Sequence, residues 1–330
     1  MADLQTQFNR FHETIKIDFD GNKPLRDKRD IIIDALRAGL KKKYPTDTPT
    51  FMHFNQGSYD MSTGVAPLGT DDYDIDVGII FDRAKDSIKP VVLKEIVYEI
   101  LNAVYQRKVE IKRPCVRVQY QKAGEKVYHI DLAIYARGKD FLGNLNTTLY
   151  IAKGFPGSSE DKKQWEISDP HQLKKLIKTK IVNDSDREQF RRIIRYLKRW
   201  KDYNFSSSGT SRPTGIALTA LCYNHFSVEK DSVRNPINGT YDYKYNDLRA
   251  LVKVVRSILL QFTFFDEISV KLPVQPGNEL FAKMSRVQMS AFKAKLENLK
   301  TILENATTDT QITTACMRLR GAFGDDFPTS

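Results

Sequence analysis

The sequence lacks a long apolar run, and cysteine is rare in it. No stretch reaches the ~18 consecutive apolar residues of a membrane-spanning helix, and the N-terminal segment has no apolar core of the signal-peptide type. The three cysteines, Cys115, Cys222 and Cys316, are too widely spaced and odd in number to form a metal-binding pattern or a disulfide framework. We therefore predict a cytoplasmic protein of a reducing compartment, without a membrane partner.

The composition is that of an ordinary soluble protein. The 330 residues are 41% hydrophobic and 28% charged, which excludes disorder of the whole chain and allows two structural units or one large domain. Lysine and arginine (52) outnumber aspartate and glutamate (41), so the net charge is +11. This charge favours anionic partners such as nucleotides, nucleic acid or phosphates, without choosing among them.

Hydrophobic periodicity in the first half indicates a mixture of helices and strands. Residues 26–43 and 90–106 have helical spacing, whereas residues 71–81 begin with alternation and end as a continuous apolar run, which predicts a strand buried on both faces at its far end. Residues 115–120 and 127–136 flank the segment QKAGEK and predict an antiparallel hairpin. The first half is therefore an α/β or α+β unit.

The second half is mostly helical, with proline and glycine between the helices. The predicted helices lie near residues 170–181, 186–203, 214–228, 244–263 and 285–305, with a flexible loop at 206–213. The segment KGFPGSSEDKK suggests a boundary, so we expect one domain at 1–165 and a helical one at 166–330.

Two carboxylates at the start of the predicted strand are candidate metal ligands. Asp74 and Asp76 share a face because side chains two apart on a strand point the same way, and their repulsion calls for a cation. Asp131 lies in another apolar strand, and pairing of the two strands would complete a cluster able to hold two Mg²⁺ ions. An isolated Asp-x-Asp pair is more often a solvated strand end. Asp72 has the same parity but lies further into the loop.

A glycine-serine pair precedes the carboxylates at the end of a polar, turn-rich segment, 46–58. Gln56-Gly57-Ser58-Tyr59 would let the backbone approach a phosphate, although Gly-Ser alone is usually an ordinary turn. Gly-Ser, then Asp-x-Asp on an apolar strand, then a third Asp on a later strand resembles the DNA polymerase β-like nucleotidyltransferase superfamily. The resemblance implies an α+β fold, with a nucleotidyltransferase core of mixed sheet and helices packed against a helical C-terminal lobe.

Two segments of the second half indicate which branch of this superfamily the sequence resembles. RRIIRYLKRWKDYNF (191–205) has an apolar face and a basic face formed by Arg191, Arg195 and Lys198, and RPTGIALTALCYNHF (212–226) is an apolar helix entered through Pro213-Thr214. A solvated charged face and a plain N-cap are the ordinary interpretations of these features. Together, LKRW followed by PTGIALT resembles the bacterial cGAS/DncV-like nucleotidyltransferases (CD-NTases) of anti-phage (CBASS) signalling, and residues 272–306 and 323–328 resemble the terminal helices and tail of that family.

This resemblance implies a function and a set of site residues. The family joins nucleoside triphosphates, here ATP or GTP, into a cyclic di- or trinucleotide that a separate effector protein senses. Asp74, Asp76 and Asp131 would be catalytic and hold two Mg²⁺ ions, with Mn²⁺ as an alternative. Gly57 and Ser58, with Gln56 beside them, would bind the donor phosphates, helped by Lys198 and Thr214; the family more often has serine at the position of Thr214.

Other expectations follow from the same resemblance. The helix at 26–43 would be the N-terminal helix that spans both lobes, and Tyr59 is a candidate for stacking on a base, with packing as its other role. The sequence leaves the oligomeric state open, and a monomer is the default. The five histidines show no ligand spacing, although His129 shares a strand face with Asp131. Because no Cys/His zinc-ribbon insertion is present, direct activation by double-stranded DNA is not expected.

Two alternative functions stay open on the sequence. A template-independent enzyme of the oligo- or poly(A) type would use the same chemistry to make a linear product, and a catalytically silent module would bind nucleotides without turnover. The bases used, the ring size, the 2′–5′ or 3′–5′ linkage and the activating signal depend on the shape of the pocket, and the sequence leaves them open.

Overall fold

The computed structural model describes residues 2–17, 23–69, 72–104, 107–120, 128–206, 212–234 and 238–330. The α-helices in these ranges are α1 (Gln5–Ile15), α2 (Lys23–Lys43), α3 (Gly57–Asp60), α4 (Pro90–Asn102), α5 (Pro170–Thr179), α6 (Asp184–Asn204), α7 (Gly215–His225), α8 (Asp247–Leu259), α9 (Arg286–Thr308) and α10 (Ile312–Phe323). The strands are β1 (Phe51–Asn55), β2 (Tyr73–Ala84), β3 (Arg107–Ile111), β4 (Val116–Tyr120), β5 (Tyr128–Lys139), β6 (Leu145–Ala152), β7 (Trp165–Ile167), β8 (Lys230–Arg234) and β9 (Tyr241–Tyr245).

In the described part of the chain, seven strands form one mixed sheet. The strand order is β1-β2-β5-β4-β3, and β6 pairs with the later half of β5 and with β7. The central strands β2 and β5 are parallel, whereas β4 and β5 form the predicted antiparallel hairpin. Helices α2 and α4 cover one face of the sheet, and together they enclose an apolar core.

The rest of the chain is a helical part built around α6. Side chains from α6 to α10 form a second apolar core, and α1 belongs to it through Phe8, Phe11 and Ile15. Phe8, Phe11 and Tyr196 of α6 are in ring contact near the C-terminal Phe323 and Phe327. The N-terminal helix is therefore held by the C-terminal half of the chain.

The long periodic elements predicted from the sequence are present. The strand expected at 71–81 is β2, and its residues from Val77 to Phe81 are all buried, as the continuous apolar run indicated. The helix expected at 90–106 ends at Asn102, and the helix expected at 244–263 begins only at Asp247, because Tyr241–Tyr245 is strand β9. The QKAGEK segment and most of the loop at 206–213 lie outside the described residues.

The structure differs from expectation in the segment 46–58. The polar segment contains β1, which pairs with β2. The buried side chains of α2 join the core beneath the sheet, and α1 contributes to the core of the helical part. The role of the helix at 26–43 as a helix spanning both lobes stays a prediction. The division at 165/166 stays a prediction. Among the described residues, no helix combines the length and the apolarity required to cross a bilayer.

Candidate active site

Strand alternation places the predicted carboxylates on one face of the sheet. In β2, Ile75 and Val77 point into the core under α2 and α4, so Asp74 and Asp76 point to the opposite face. In β5, the flanking residues Ile130 and Leu132 are likewise buried in that core. Asp76 and Asp131 are direct partners in the parallel register. The structure therefore brings together all three carboxylates that the sequence singled out.

An arginine that the sequence analysis did not select lies among these carboxylates. Arg117 of β4 is the register partner of Asp131, and its guanidinium donates Nε–H and Nη2–H to the two Asp131 carboxylate oxygens, each at 2.7 Å. The same Nη2 lies 3.4 Å from Oδ1 of Asp74. His129 joins the cluster, with Nε2 3.2 Å from Oδ2 of Asp72 and Nδ1 4.0 Å from Oδ1 of Asp74.

The cluster carries more negative than positive charge. The enclosed position of Asp76, together with the neighbouring carboxylates of Asp74 and Asp131, raises its pKa to about 7. Hydrogen bonding to Asp131 raises the pKa of Arg117 further above its ordinary value, so this guanidinium stays charged. A site with three carboxylates and one arginine favours an additional cation.

Gly57 lies directly against Asp76. Its φ is +69°, and an ideal Cβ there would be 2.0 Å from the Oδ2 of Asp76, so a side chain has no room. The backbone N–H of Gln56 donates to the carbonyl of Asp76 at 3.0 Å, which joins the Gly57-Ser58 segment to β2. The glycine-serine pair and the carboxylates therefore form one rigid unit.

A cavity of about 730 Å³ opens above this unit, between the sheet and the helical part. Residues 56–58, Asp74 and Asp76 line one side, whereas Leu272, Val274, Leu280 and Met284 supply an apolar wall. Asp131 is not among the lining residues. The cations that line the cavity are Lys174, Lys198, Lys201, Arg212 and Lys283. The combination of carboxylates, cations and an apolar wall suits a ligand with phosphates and a flat ring.

Lys198 is the cation that α6 buries beside the Gly57-Ser58 segment. Its Nζ donates to the carbonyl and the hydroxyl oxygens of Thr63, both at 3.0 Å, and the N–H of Thr63 donates to the carbonyl of Ser58. Burial, with Lys201 and Arg195 nearby, lowers the pKa of Lys198 to about 7. An anion in the cavity would favour the charged form of this lysine.

The other residues of the predicted basic face have different partners. Arg195 donates to the carbonyls of Ser62 and Gly64, so it holds the loop after α3 and does not line the cavity. Arg191 pairs with Glu188 on its own helix. Only Lys198 of the three reaches the cavity.

Thr214 and Gln56 line the cavity, whereas Tyr59 does not. Thr214 is the N-cap of α7, and its hydroxyl oxygen accepts a hydrogen bond from the N–H of Ala217 at 3.3 Å. Tyr135 donates its hydroxyl to Oε1 of Gln56 at 3.0 Å and also lines the cavity. Tyr59 packs against the core beneath the sheet, which favours the packing role over base stacking.

Several residues of the candidate site are not predicted from the sequence. The sequence gives a partial signal for Arg117, because the predicted hairpin places its strand beside the strand of Asp131, but the register that pairs Arg117 with Asp131 is known only from the structure. The sequence gives no signal for Lys174, Lys201 and Arg212, since the packing of the helical part against the sheet brings them to the cavity.

The donor set fits Mg²⁺, although the third carboxylate is engaged elsewhere. Asp74 and Asp76 offer hard oxygen ligands on one face, open to the cavity. In the described ranges, no three His, Cys, Asp or Glu side chains converge as a complete metal site. Both carboxylate oxygens of Asp131 accept hydrogen bonds from Arg117.

Part of the chain matches a known protein family. Residues 49–135 match the family model described as cyclic GMP-AMP synthase DncV-like, nucleotidyltransferase domain. A cyclic GMP-AMP synthase from Escherichia albertii is 24% identical over 241 residues, which are 64% of this chain and 49% of that protein. The chain therefore spans about half the length of this curated relative.

Solved structures of a Vibrio cholerae protein have the same fold. The DncV cyclic AMP-GMP synthase matches with a TM-score of 0.71 at 20% identity, over 98% of this chain and 96% of that one. Its complex with the linear intermediate pppA(3′,5′)pG matches with a TM-score of 0.73 at 19% identity and the same coverage. The predicted α+β fold is confirmed, with a mixed sheet packed against a helical part as in the DncV structures, and residues 49–135 match the nucleotidyltransferase domain of the cGAS/DncV-like family.

Proposed function

We propose that this protein joins nucleoside triphosphates into a cyclic di- or trinucleotide and releases pyrophosphate. The observation that carries the proposal is the cavity in which Asp74 and Asp76 face the Gly57-Ser58 segment and a set of cations. ATP and GTP are the substrates we expect, since the relatives of known structure were solved with these nucleotides or with an intermediate made from them.

In each step, an acceptor ribose hydroxyl attacks the α-phosphorus of a donor triphosphate. The new P–O bond forms, the bond to pyrophosphate breaks, and the hydroxyl proton leaves to a nearby carboxylate. Gly57 and Ser58 hold the donor β- and γ-phosphates, and Lys198 and Thr214 add a cation and a hydroxyl from the helical part. A last such step between the two ends of one linear intermediate closes the ring.

Asp74, Asp76 and Asp131 would hold two Mg²⁺ ions, or Mn²⁺ in their place. When bound, these ions lower the pKa of the attacking hydroxyl and stabilise the charge on the leaving pyrophosphate. The carboxylates themselves orient the acceptor, and the apolar wall at Leu272, Val274 and Leu280 excludes water from one side of the cavity.

A cytoplasmic role in anti-phage signalling, with an effector protein that senses the product, belongs to the same proposal. It is supported by the family of the nucleotidyltransferase domain. The main alternative is a linear oligonucleotide made by the same chemistry. The position of the cavity between the sheet and the helical part favours a short product, because a long acceptor strand needs an open basic platform.

The carboxylate pair offers a direct test of the active site. Asp74→Ala with Asp76→Ala should lower product formation by at least about 1,000-fold, because metal ligands supply several kcal/mol of transition-state stabilisation. Asp86→Ala removes an exposed aspartate of the same region that pairs with Lys139, and it should leave activity unchanged. Full activity in the double variant would contradict the assignment of the site.

The identity of the reaction product distinguishes the cyclic reaction from the linear one. The protein is incubated with all four NTPs and Mg²⁺, treated with phosphatase, and the products are identified by mass spectrometry. A phosphatase-resistant cyclic compound is the expected result, and its mass gives the bases and ring size. A ladder of linear oligomers would support the alternative, and nucleotide binding without turnover would support a silent module.

A further inference from the structure

The guanidinium of Arg117 lies where a cation shared by Asp131 and Asp74 would lie. It occupies both carboxylate oxygens of Asp131 at 2.7 Å and reaches Asp74 at 3.4 Å from the same Nη2. Such a bidentate fork is the strongest arginine–carboxylate geometry, and the Asp131 side chain is only 14% exposed. Arg117 therefore neutralises a carboxylate that would otherwise be buried with like charges.

The three carboxylates consequently differ in their access to the cavity. Asp74 and Asp76 line it, whereas Asp131 does not and is bound by Arg117. A metal ion that takes an oxygen of Asp131 must compete with two charged hydrogen bonds and must accept a positive charge a few ångströms away. A metal ion held by Asp74 and Asp76 alone does not compete with these hydrogen bonds and is opposed only by the nearby positive charge.

We propose that Arg117 is a positioning residue that occupies Asp131 as an internal counter-ion and yields it only when substrate and metal enter together. The inference rests on the proposed function of the carboxylates as metal ligands. The guanidinium needs a new anionic partner once it leaves Asp131, and a triphosphate is the anion that the reaction brings to this face. Nucleotide and metal binding would then be coupled through one side chain.

Metal binding without turnover tests this coupling in the whole chain. Binding of Mn²⁺ is titrated by electron paramagnetic resonance, first without nucleotide and then with a nonhydrolysable ATP analogue. Without nucleotide, Arg117→Gln should bind Mn²⁺ at least about tenfold more tightly than wild type, because a competing positive charge is gone. The analogue should strengthen Mn²⁺ binding in wild type by a larger factor than in the variant.

Arg137→Gln is the matched control, since Arg137 lies further along the same sheet and points its Nε to Asp82 at 3.4 Å. Its Mn²⁺ affinity should equal that of wild type. Arg117→Lys keeps the charge but cannot form the fork, so its affinity should fall between wild type and Arg117→Gln. This second variant provides the answer if Arg117→Gln does not fold, which thermal unfolding reveals.

The outcomes separate the inference from the proposed function. In one outcome, Arg117→Gln binds Mn²⁺ as tightly as wild type or more weakly, while Asp76→Asn abolishes the binding. That result overturns the role of Arg117 and leaves the metal site intact. Absence of Mn²⁺ binding in wild type, with or without the analogue, overturns both. Tighter binding combined with a smaller effect of the analogue supports the inference.

Discussion

Gly57 packs so closely against Asp76 that it has no room for a side chain, so a substitution there should disturb the carboxylate. An alanine Cβ would lie 2.0 Å from the Asp76 carboxylate, so either the Gly57-Ser58 segment or the carboxylate has to move. A displacement of about 1 Å at a reacting group lowers a rate roughly 100-fold. We therefore expect Gly57→Ala to lower the rate of product formation about 100-fold, measured in the mass-spectrometric assay.

Gly143→Ala separates this effect from backbone strain. Gly143 also has a positive φ, of +85°, but nothing lies within 4 Å of its ideal Cβ. Both variants should lose about 1–2 kcal/mol of unfolding free energy from the strained backbone, and only Gly57→Ala should lose activity. Equal activities of the two variants would show that the contact with Asp76 has no role in the reaction.

Among the elements, the central strands were the most predictable. Their apolar runs and alternation give both their position and the face on which Asp74, Asp76 and Asp131 lie. Strand β1 was missed because its residues are half-buried and do not alternate, and it lies in a polar segment. Its stability as a strand comes from pairing with β2, which periodicity within a single segment does not reveal.

The basic face of α6 shows a second limit of prediction from sequence. The spacing of Arg191, Arg195 and Lys198 places them on one face of α6, but the pattern does not say what each residue contacts. Arg191 binds its own helix, Arg195 holds a loop, and only Lys198 reaches the cavity. These differences arise from the packing of α6 against the segment after α3, which is a property of the tertiary structure.

Helix α6 holds the loop that follows the Gly57-Ser58 segment through hydrogen bonds from its side chains. Arg195 is buried and donates to the carbonyls of Ser62 and Gly64 at 2.7 and 3.1 Å. Removal of its charged hydrogen bonds in Arg195→Met should lower the free energy of unfolding by about 3 kcal/mol, as measured by urea denaturation. Binding of NTP should weaken as well, because the loop supports the phosphate-facing segment.

Arg191→Met is the matched control on the same face. Arg191 pairs with the half-exposed Glu188 of its own helix, so its loss should change stability by less than about 1 kcal/mol. A similar loss of stability in both variants would mean that the loop is held by other contacts and that α6 contributes only its apolar face.

At the scale of the whole molecule, the two parts are joined by polar contacts through the segment 62–66. Arg195 binds Ser62 and Gly64, Lys198 binds Thr63, and the Nη2 of Arg199 donates to the carbonyl of Ala66 at 2.9 Å. The cavity between them is lined by residues of both the sheet and the helical part. The candidate site therefore needs both parts, and a truncation to either one should not retain activity.

His12 makes this assembly sensitive to acid. It is buried between α1 and α6, and its Nε2 lies 3.0 Å from Nη1 of Arg195. Burial and the charge of Arg195 lower its pKa from 6.5 to about 4, although Glu13 opposes the shift. Between these two pH values the unfolded chain binds a proton at His12 that the folded chain does not, so stability falls as the pH falls from 6.5 towards 4.

The expected contribution of His12 is about 1.4 kcal/mol per pH unit, or about 3 kcal/mol over the window, and all of it is regained above pH 6.5. His12→Gln keeps an acceptor for Arg195 but cannot titrate, so its stability should fall less steeply with acid. Urea denaturation of both proteins from pH 7.5 to 4.5 measures the difference, which cancels the acid response of the carboxylates common to both. Parallel curves would show that His12 binds its proton equally well in the folded and unfolded chains, and that the contact between α1 and α6 does not exclude the charged ring.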